Sequence, residues 1–116
     1  MNRVKLINNL FSTADAEDVA YSSDGYELVL SFTDWQENRY TLKFEEVEYL
    51  KITEDIDFEK FRYDCPQEVL DSSLVEELKL NKECFHHYML CFNAWSNIEI
   101  VSRVLVIQSM ELAKNA

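Results

Sequence analysis

Apolar residues alternate with polar ones through much of the N-terminal half of this chain. Tyr26, Leu28, Leu30 and Phe32 share one parity against Glu27, Ser31 and Thr33, and Tyr40, Leu42 and Phe44 repeat it against Thr41, Lys43 and Glu45. A period of two is what a half-buried β-strand requires. Asp24-Gly25, lying between the 19–23 stretch and the first alternating run, marks a hairpin turn whose central positions want positive φ. After Glu45 the phase shifts: Val47 and Tyr49 take odd positions before Leu50 and Ile52 restore the even ones. That predicts a β-bulge near Glu45 and Glu46, with a helical turn over 44–50 as the alternative. Two apolar, β-branched and aromatic runs, 85–93 and 98–107, read as a second hairpin, apolar enough on both faces for a central place in a sheet. Val4, Ile7, Leu10 and Phe11 recur at three- and four-residue steps, the spacing of a short amphipathic helix. Pro66 suits the first turn of a helix, and Ser73 followed by Glu76 matches a capping box, so one or two short helices are predicted between 66 and 80. The pattern therefore predicts an α+β fold in a single domain, 1–116: a mostly antiparallel meander sheet of about five strands, an N-terminal helix and a short helical insertion at 66–80.

Composition supports a folded chain and adds one asymmetry. With 47% apolar and 13% aromatic residues the sequence is too rich in core formers for disorder. Its 116 residues suffice to bury a real core. Gly25 is the sole glycine and Pro66 the sole proline, so few reversals are signalled. The net charge is −11, from 22 acids against 11 bases. The surplus is local: residues 12–59 hold fourteen acids and only Arg39, Lys43 and Lys51, whereas residues 85–116 are balanced. No apolar run is long enough to cross a bilayer and the N-terminus lacks the features of a secretory signal, so a cytoplasmic location without membrane association is expected. Cys65, Cys84 and Cys91, three in number and without a CxxC pair, read as reduced, packed thiols.

The closing segment His87-Tyr88-Met89-Leu90-Cys91-Phe92-Asn93, a polar turn, and Ile98-Glu99-Ile100-Val101 resembles the final hairpin of small, acidic, uncharacterised bacterial proteins. Some of these are encoded beside polymorphic toxins as immunity proteins. The resemblance extends to the acidic meander over 26–52. It implies a binding protein that blocks a cognate toxin, and it carries no catalytic residue with it.

Candidate chemistry is sparse. His86 and His87 are consecutive, so on a strand they point to opposite faces and cannot together grip an ion; neither a metal site nor a Cys84–His nucleophile is read here. One glycine excludes a phosphate-cradling loop and a GxSxG elbow. The acids remain. Asp55, Asp57 and Glu59 alternate with Ile56, Phe58 and Lys60, and Glu45, Glu46, Glu48 and Glu54 crowd the stretch before them. Carboxylates within a ~8 Å screening length repel one another, which costs stability unless something gains from the field. A solvated surface, a docking face for a basic protein, a calcium loop and a general acid–base pair are all readings of this run; the calcium loop lacks the required glycine and acid spacing. Trp35 and Trp95 fall in predicted turns, Trp95 as a cap over the sheet edge and Trp35, within Asp34-Trp35-Gln36-Glu37, as the candidate anchor.

These readings converge on a non-enzymatic acidic module without cofactor or metal that captures a basic protein partner, plausibly a cognate toxin. Its contact residues would be Trp35, Glu45, Glu46, Glu48, Asp55, Asp57 and Glu59. The alternative is a small-ligand domain or minor enzyme with a pocket between sheet and helices. Direct nucleic-acid binding is disfavoured because phosphate neutralisation needs bases that this surface lacks. Oligomeric state is not encoded in the pattern.

Overall fold

The structure, a computed structural model, describes residues 3–7, 10–54, 65–92 and 96–111. Within them the chain forms β1 (Arg3–Leu6), β2 (Glu17–Ser23), β3 (Leu28–Thr33), β4 (Arg39–Thr53), β5 (Pro66–Leu70), α1 (Ser73–Glu77), β6 (His86–Leu90) and β7 (Asn97–Glu111). All seven strands join one sheet in the order β1-β5-β6-β7-β4-β3-β2, and every pairing is antiparallel. Two meanders, β2-β3-β4 and β5-β6-β7, are thus joined through their last strands, with β1 added at the far edge. The two 15-residue strands β4 and β7 form the spine. β3 pairs the first half of β4, whereas β6 pairs the first half of β7, so the two wings leave the spine from opposite sides and opposite ends.

The alternation read from the sequence sets the core. Leu28, Leu30 and Phe32 pair with Phe44, Leu42 and Tyr40, and all six are buried on one face. From the other wing Tyr88, Leu90, Phe92, Ile98 and Ile100 enter the same cluster. Phe32 links the wings, its ring centroid 5.4 Å from that of Phe92 in an edge-on arrangement. Phe44 meets Tyr88 at 5.7 Å in the same way. Burial, and secondarily the charge of Glu68, pushes the Tyr88 phenol above the usual tyrosine range.

The phase change is a pair of compensating irregularities. Against β7, register slips once between Thr41 and Leu42 and once between Val47 and Tyr49, so the pairing at the two ends of the ribbon agrees while the middle is displaced by one residue. The sequence placed the second of these near Glu45 and Glu46; Glu46 does take a left-handed φ of 53°, and the extra residue is Glu48. Val47, Leu50 and Ile52 all pack against the core as a result. At the first hairpin Gly25 has φ 91°, but Asp24 precedes the reversal instead of occupying it. The Asp24 Oδ1 accepts the backbone N–H groups of Glu27 at 2.7 Å and Tyr26 at 2.9 Å, which holds its carboxyl below the usual range.

Four predicted features are corrected, and with them the α+β assignment: the described chain is mostly sheet with one five-residue helix. No N-terminal helix forms. Arg3–Leu6 is instead β1, laddered onto β5, while Ile7 and Phe11 fill the core from the segment that follows. So short an amphipathic pattern is marginal as an isolated helix, and an open strand edge satisfies more of its backbone groups. Pro66 begins strand β5, a place where its missing N–H is tolerated, and not a helix. The cap of α1 is Ser72, one residue before the expected Ser73: its Oγ accepts the Val75 N–H at 3.2 Å. The strand count is seven, not about five.

Candidate functional site

The wing β2-β3-β4 is apolar on one face only, which leaves its turns and outer face free to carry charge. At the β3–β4 turn, Asp34 is 5% exposed and organises the loop. Its Oδ1 accepts the N–H groups of Gln36 at 2.9 Å and Asn38 at 2.8 Å, and its own carbonyl accepts Glu37 N–H at 3.0 Å. That fold of the turn stands Trp35 outward, 58% exposed. Beside it β2 begins irregularly, with a register shift between Glu17 and Ala20 and positive φ at Asp15 and Asp18. The two segments enclose an open groove of about 470 Å³ lined by Asp15, Glu17, Asp18, Thr33, Asp34, Trp35 and Glu37.

The base nearest in sequence to this turn is already engaged. The guanidinium of Arg39 donates to the Asp18 carbonyl at 3.0 Å, to Thr33 Oγ1 at 3.2 Å and to Ser31 Oγ at 3.0 Å. Among the described residues none of Glu17, Asp18, Asp34 and Glu37 forms an ion pair. An exposed indole among carboxylates can receive an ammonium or guanidinium by cation–π contact and by charge together.

The other acids chosen from sequence do not join Trp35. Glu45, Glu46 and Glu48 lie at the opposite end of the β3–β4 hairpin, roughly 20 Å or more away at ~3.3 Å per strand residue. Bases already serve two of them. Lys43 Nζ lies 2.8 Å from Glu27 and 3.5 Å from Glu45, and Arg103 lies 3.5 Å from Glu46. Glu48 is exposed on the bulge. Asp55, Asp57 and Glu59, and likewise Trp95, lie outside the described residues.

The wing β5-β6-β7 is built differently, with both faces covered near β6. His86 and His87 do point to opposite faces. His86 Nδ1 is 2.8 Å from Glu68 Oε2, and its ring stacks on Tyr88. His87, 4% exposed, lies 2.7 Å from Ser72 Oγ through Nδ1 and 2.7 Å from Glu99 Oε2 through Nε2. α1 packs Val75 over this corner, and a cavity of about 140 Å³ remains between the helix and the sheet.

The sequence pattern singled out Trp35 but not the acids that line the groove beside it. Asp15, Glu17 and Asp18 are separated from Asp34 and Glu37 by a whole hairpin, so only their membership in the acidic 12–59 segment hinted at them. Ser72, His87 and Glu99 come from three segments, and no spacing rule joins them. Among the described residues no helix is long and apolar enough to cross a membrane. No protein-family model, curated protein or solved structure matches the chain.

Proposed function

We propose that this chain is a protein-binding module that captures a basic partner at the groove bearing Trp35. The observation that carries the reading is an indole 58% exposed in an open groove walled by Asp15, Glu17, Asp18, Asp34 and Glu37. The net charge of −11 gives the same preference at longer range, accelerating encounter with a cationic surface. A toxin with a basic active face is the kind of partner that the resemblance of the closing hairpin implies, and neutralisation by occlusion of that face is the proposed outcome.

The test is affinity capture of a cognate basic protein by the intact chain at low and high ionic strength. Wild type is expected to retain it at low salt and release it as salt rises. Trp35→Ala, and the triple change Glu17→Gln, Asp18→Asn and Glu37→Gln, are each expected to lose it. Retention unaltered by both variants and by salt would refute the reading.

A further inference from the structure

Ser72, His87 and Glu99 form a hydrogen-bonded chain across three elements, buried at Ser72 and His87. Capping α1 needs only that Ser72 Oγ accept the Val75 N–H, which it does at 3.2 Å. Yet the same oxygen also lies 2.7 Å from His87 Nδ1, and His87 Nε2 lies 2.7 Å from Glu99 Oε2. An ionised carboxylate can only accept, so it selects the ring tautomer protonated at Nε2. Nδ1 is then an acceptor, and the Ser72 hydroxyl donates to it. A hydroxyl bonded to an imidazole that is itself oriented by a carboxylate is the arrangement of an activated nucleophile. Three separate elements hold it: Ser72 follows Asp71, whose left-handed φ of 52° turns the chain from β5 into α1, His87 stands on β6 and Glu99 on β7. Both Ser72 and His87 line the cavity of about 140 Å³ between α1 and the sheet, together with Val75, Lys82 and Phe85.

We infer that Ser72 is a nucleophile that accepts the acyl group of a small ester and passes it to water. Ser72 Oγ attacks the ester carbonyl carbon; the Oγ–C bond forms, the carbonyl π pair moves to oxygen, and the hydroxyl proton passes to His87 Nδ1. On collapse the bond from carbon to the alcohol oxygen breaks, and the departing alkoxide takes the proton from Nδ1. The acyl-serine remains. Its ester oxygen can still accept the Val75 N–H, so the helix cap survives acylation. Water then gives a proton to Nδ1 and attacks the acyl carbon, the Oγ–C bond breaks, and Ser72 recovers the proton as a carboxylic acid leaves. Glu99 offsets the imidazolium charge in both halves. The size of the cavity restricts the acyl group to a few carbons. This activity is independent of the Trp35 groove.

The full chain is treated with p-nitrophenyl acetate and, separately, with methanesulfonyl fluoride, and adducts are mapped by mass spectrometry. The inference expects a burst of p-nitrophenolate and an adduct at Ser72 with both reagents. His87→Gln should slow acylation about 100-fold, and Glu99→Gln, which keeps a hydrogen bond but removes the charge, should slow it by a smaller factor. Folding of each variant is checked by circular dichroism. Absence of a Ser72 adduct in the folded wild type, adducts spread over other serines, or an unchanged rate in folded His87→Gln would each overturn it. Should His87→Gln not fold, the position of the wild-type adduct decides.

Discussion

The two wings of the sheet solve opposite problems with the same antiparallel pairing. β2-β3-β4 buries one face and leaves the other to Ser31, Thr33, Arg39, Thr41 and Lys43, so charge can accumulate there and at its turns without desolvation. β5-β6-β7 buries both faces at β6: Tyr88 and Leu90 on the core side, His87 and Met89 on the other. Polar groups on that second face must therefore find partners inside the protein. Among the described residues no buried side-chain nitrogen or oxygen lacks one. Excess charge marks a one-sided wing, whereas a buried polar chain marks a two-sided one. The two candidate sites follow this division.

Phe32 packs across both wings at the centre of the aromatic core, so its truncation should have the largest effect. Phe32→Ala removes a fully buried ring that touches Phe11, Tyr40 and Phe92, and should cost about 3–5 kcal/mol in urea denaturation. Fluorescence and circular dichroism transitions should remain coincident; separate transitions would mean that the wings fold independently.

A polar change should hurt the two-sided wing more than the one-sided wing. His87→Leu removes the acceptor of the Ser72 hydroxyl and the donor to Glu99, and should cost about 1–3 kcal/mol. Lys43→Ala, which breaks the Glu27 and Glu45 pairs on the outer face, should leave the urea midpoint nearly unchanged, because exposed pairs contribute little. Equal losses would erase the distinction.

Tyr88 offers the same contrast through pH. Its phenol titrates above the usual value because of burial, so the folded state favours the neutral form. That stability is fully present below the unfolded pKa of about 10 and is lost as pH rises beyond it toward the folded value. Melting temperature should fall above pH 10, and Tyr88→Phe should flatten the decline. An unchanged slope in that variant would assign the decline elsewhere.

A small gain is predicted where a residue other than glycine takes a left-handed φ. Left-handed φ values fall on Asp15, Asp18, Glu37, Glu46, Asp71 and Lys79. Lys79 stands just after α1, where Leu80 N–H donates to the Val75 carbonyl and Lys79 N–H to that of Glu76. This is the helix-ending motif that ordinarily takes glycine. Lys79→Gly should raise stability by about 0.5–1 kcal/mol, read from the urea midpoint.

Legibility in the sequence followed the length of the pattern. The β3 and β4 runs and the closing hairpin were readable because one long pattern dictated each, and the phase change announced its bulge. β1 and β5 were not. Four or five residues carry too short a period to separate strand from helix, and Pro66 is compatible with the first position of either. The cap of α1 was misplaced by one residue because Asp71, Ser72 and Ser73 are all good capping residues in succession. Trp35 was legible as a turn tryptophan, but its acidic neighbours depend on how the start of β2 lies beside the β3–β4 turn, a tertiary relation that charge counting along the chain does not contain.

The central claim is that the Trp35 groove, and not negative charge at large, binds a cation-rich partner. In a Trp95→Phe background Trp35 is the only indole, and its fluorescence can be titrated with an arginine-rich peptide at several salt concentrations. The account predicts a saturable change in emission that weakens with salt. The affinity should fall at least about tenfold in the Glu17→Gln, Asp18→Asn, Glu37→Gln variant and change little when Glu45, Glu46 and Glu48 become Gln. Equal weakening by the two triple variants, which remove the same charge, would contradict it.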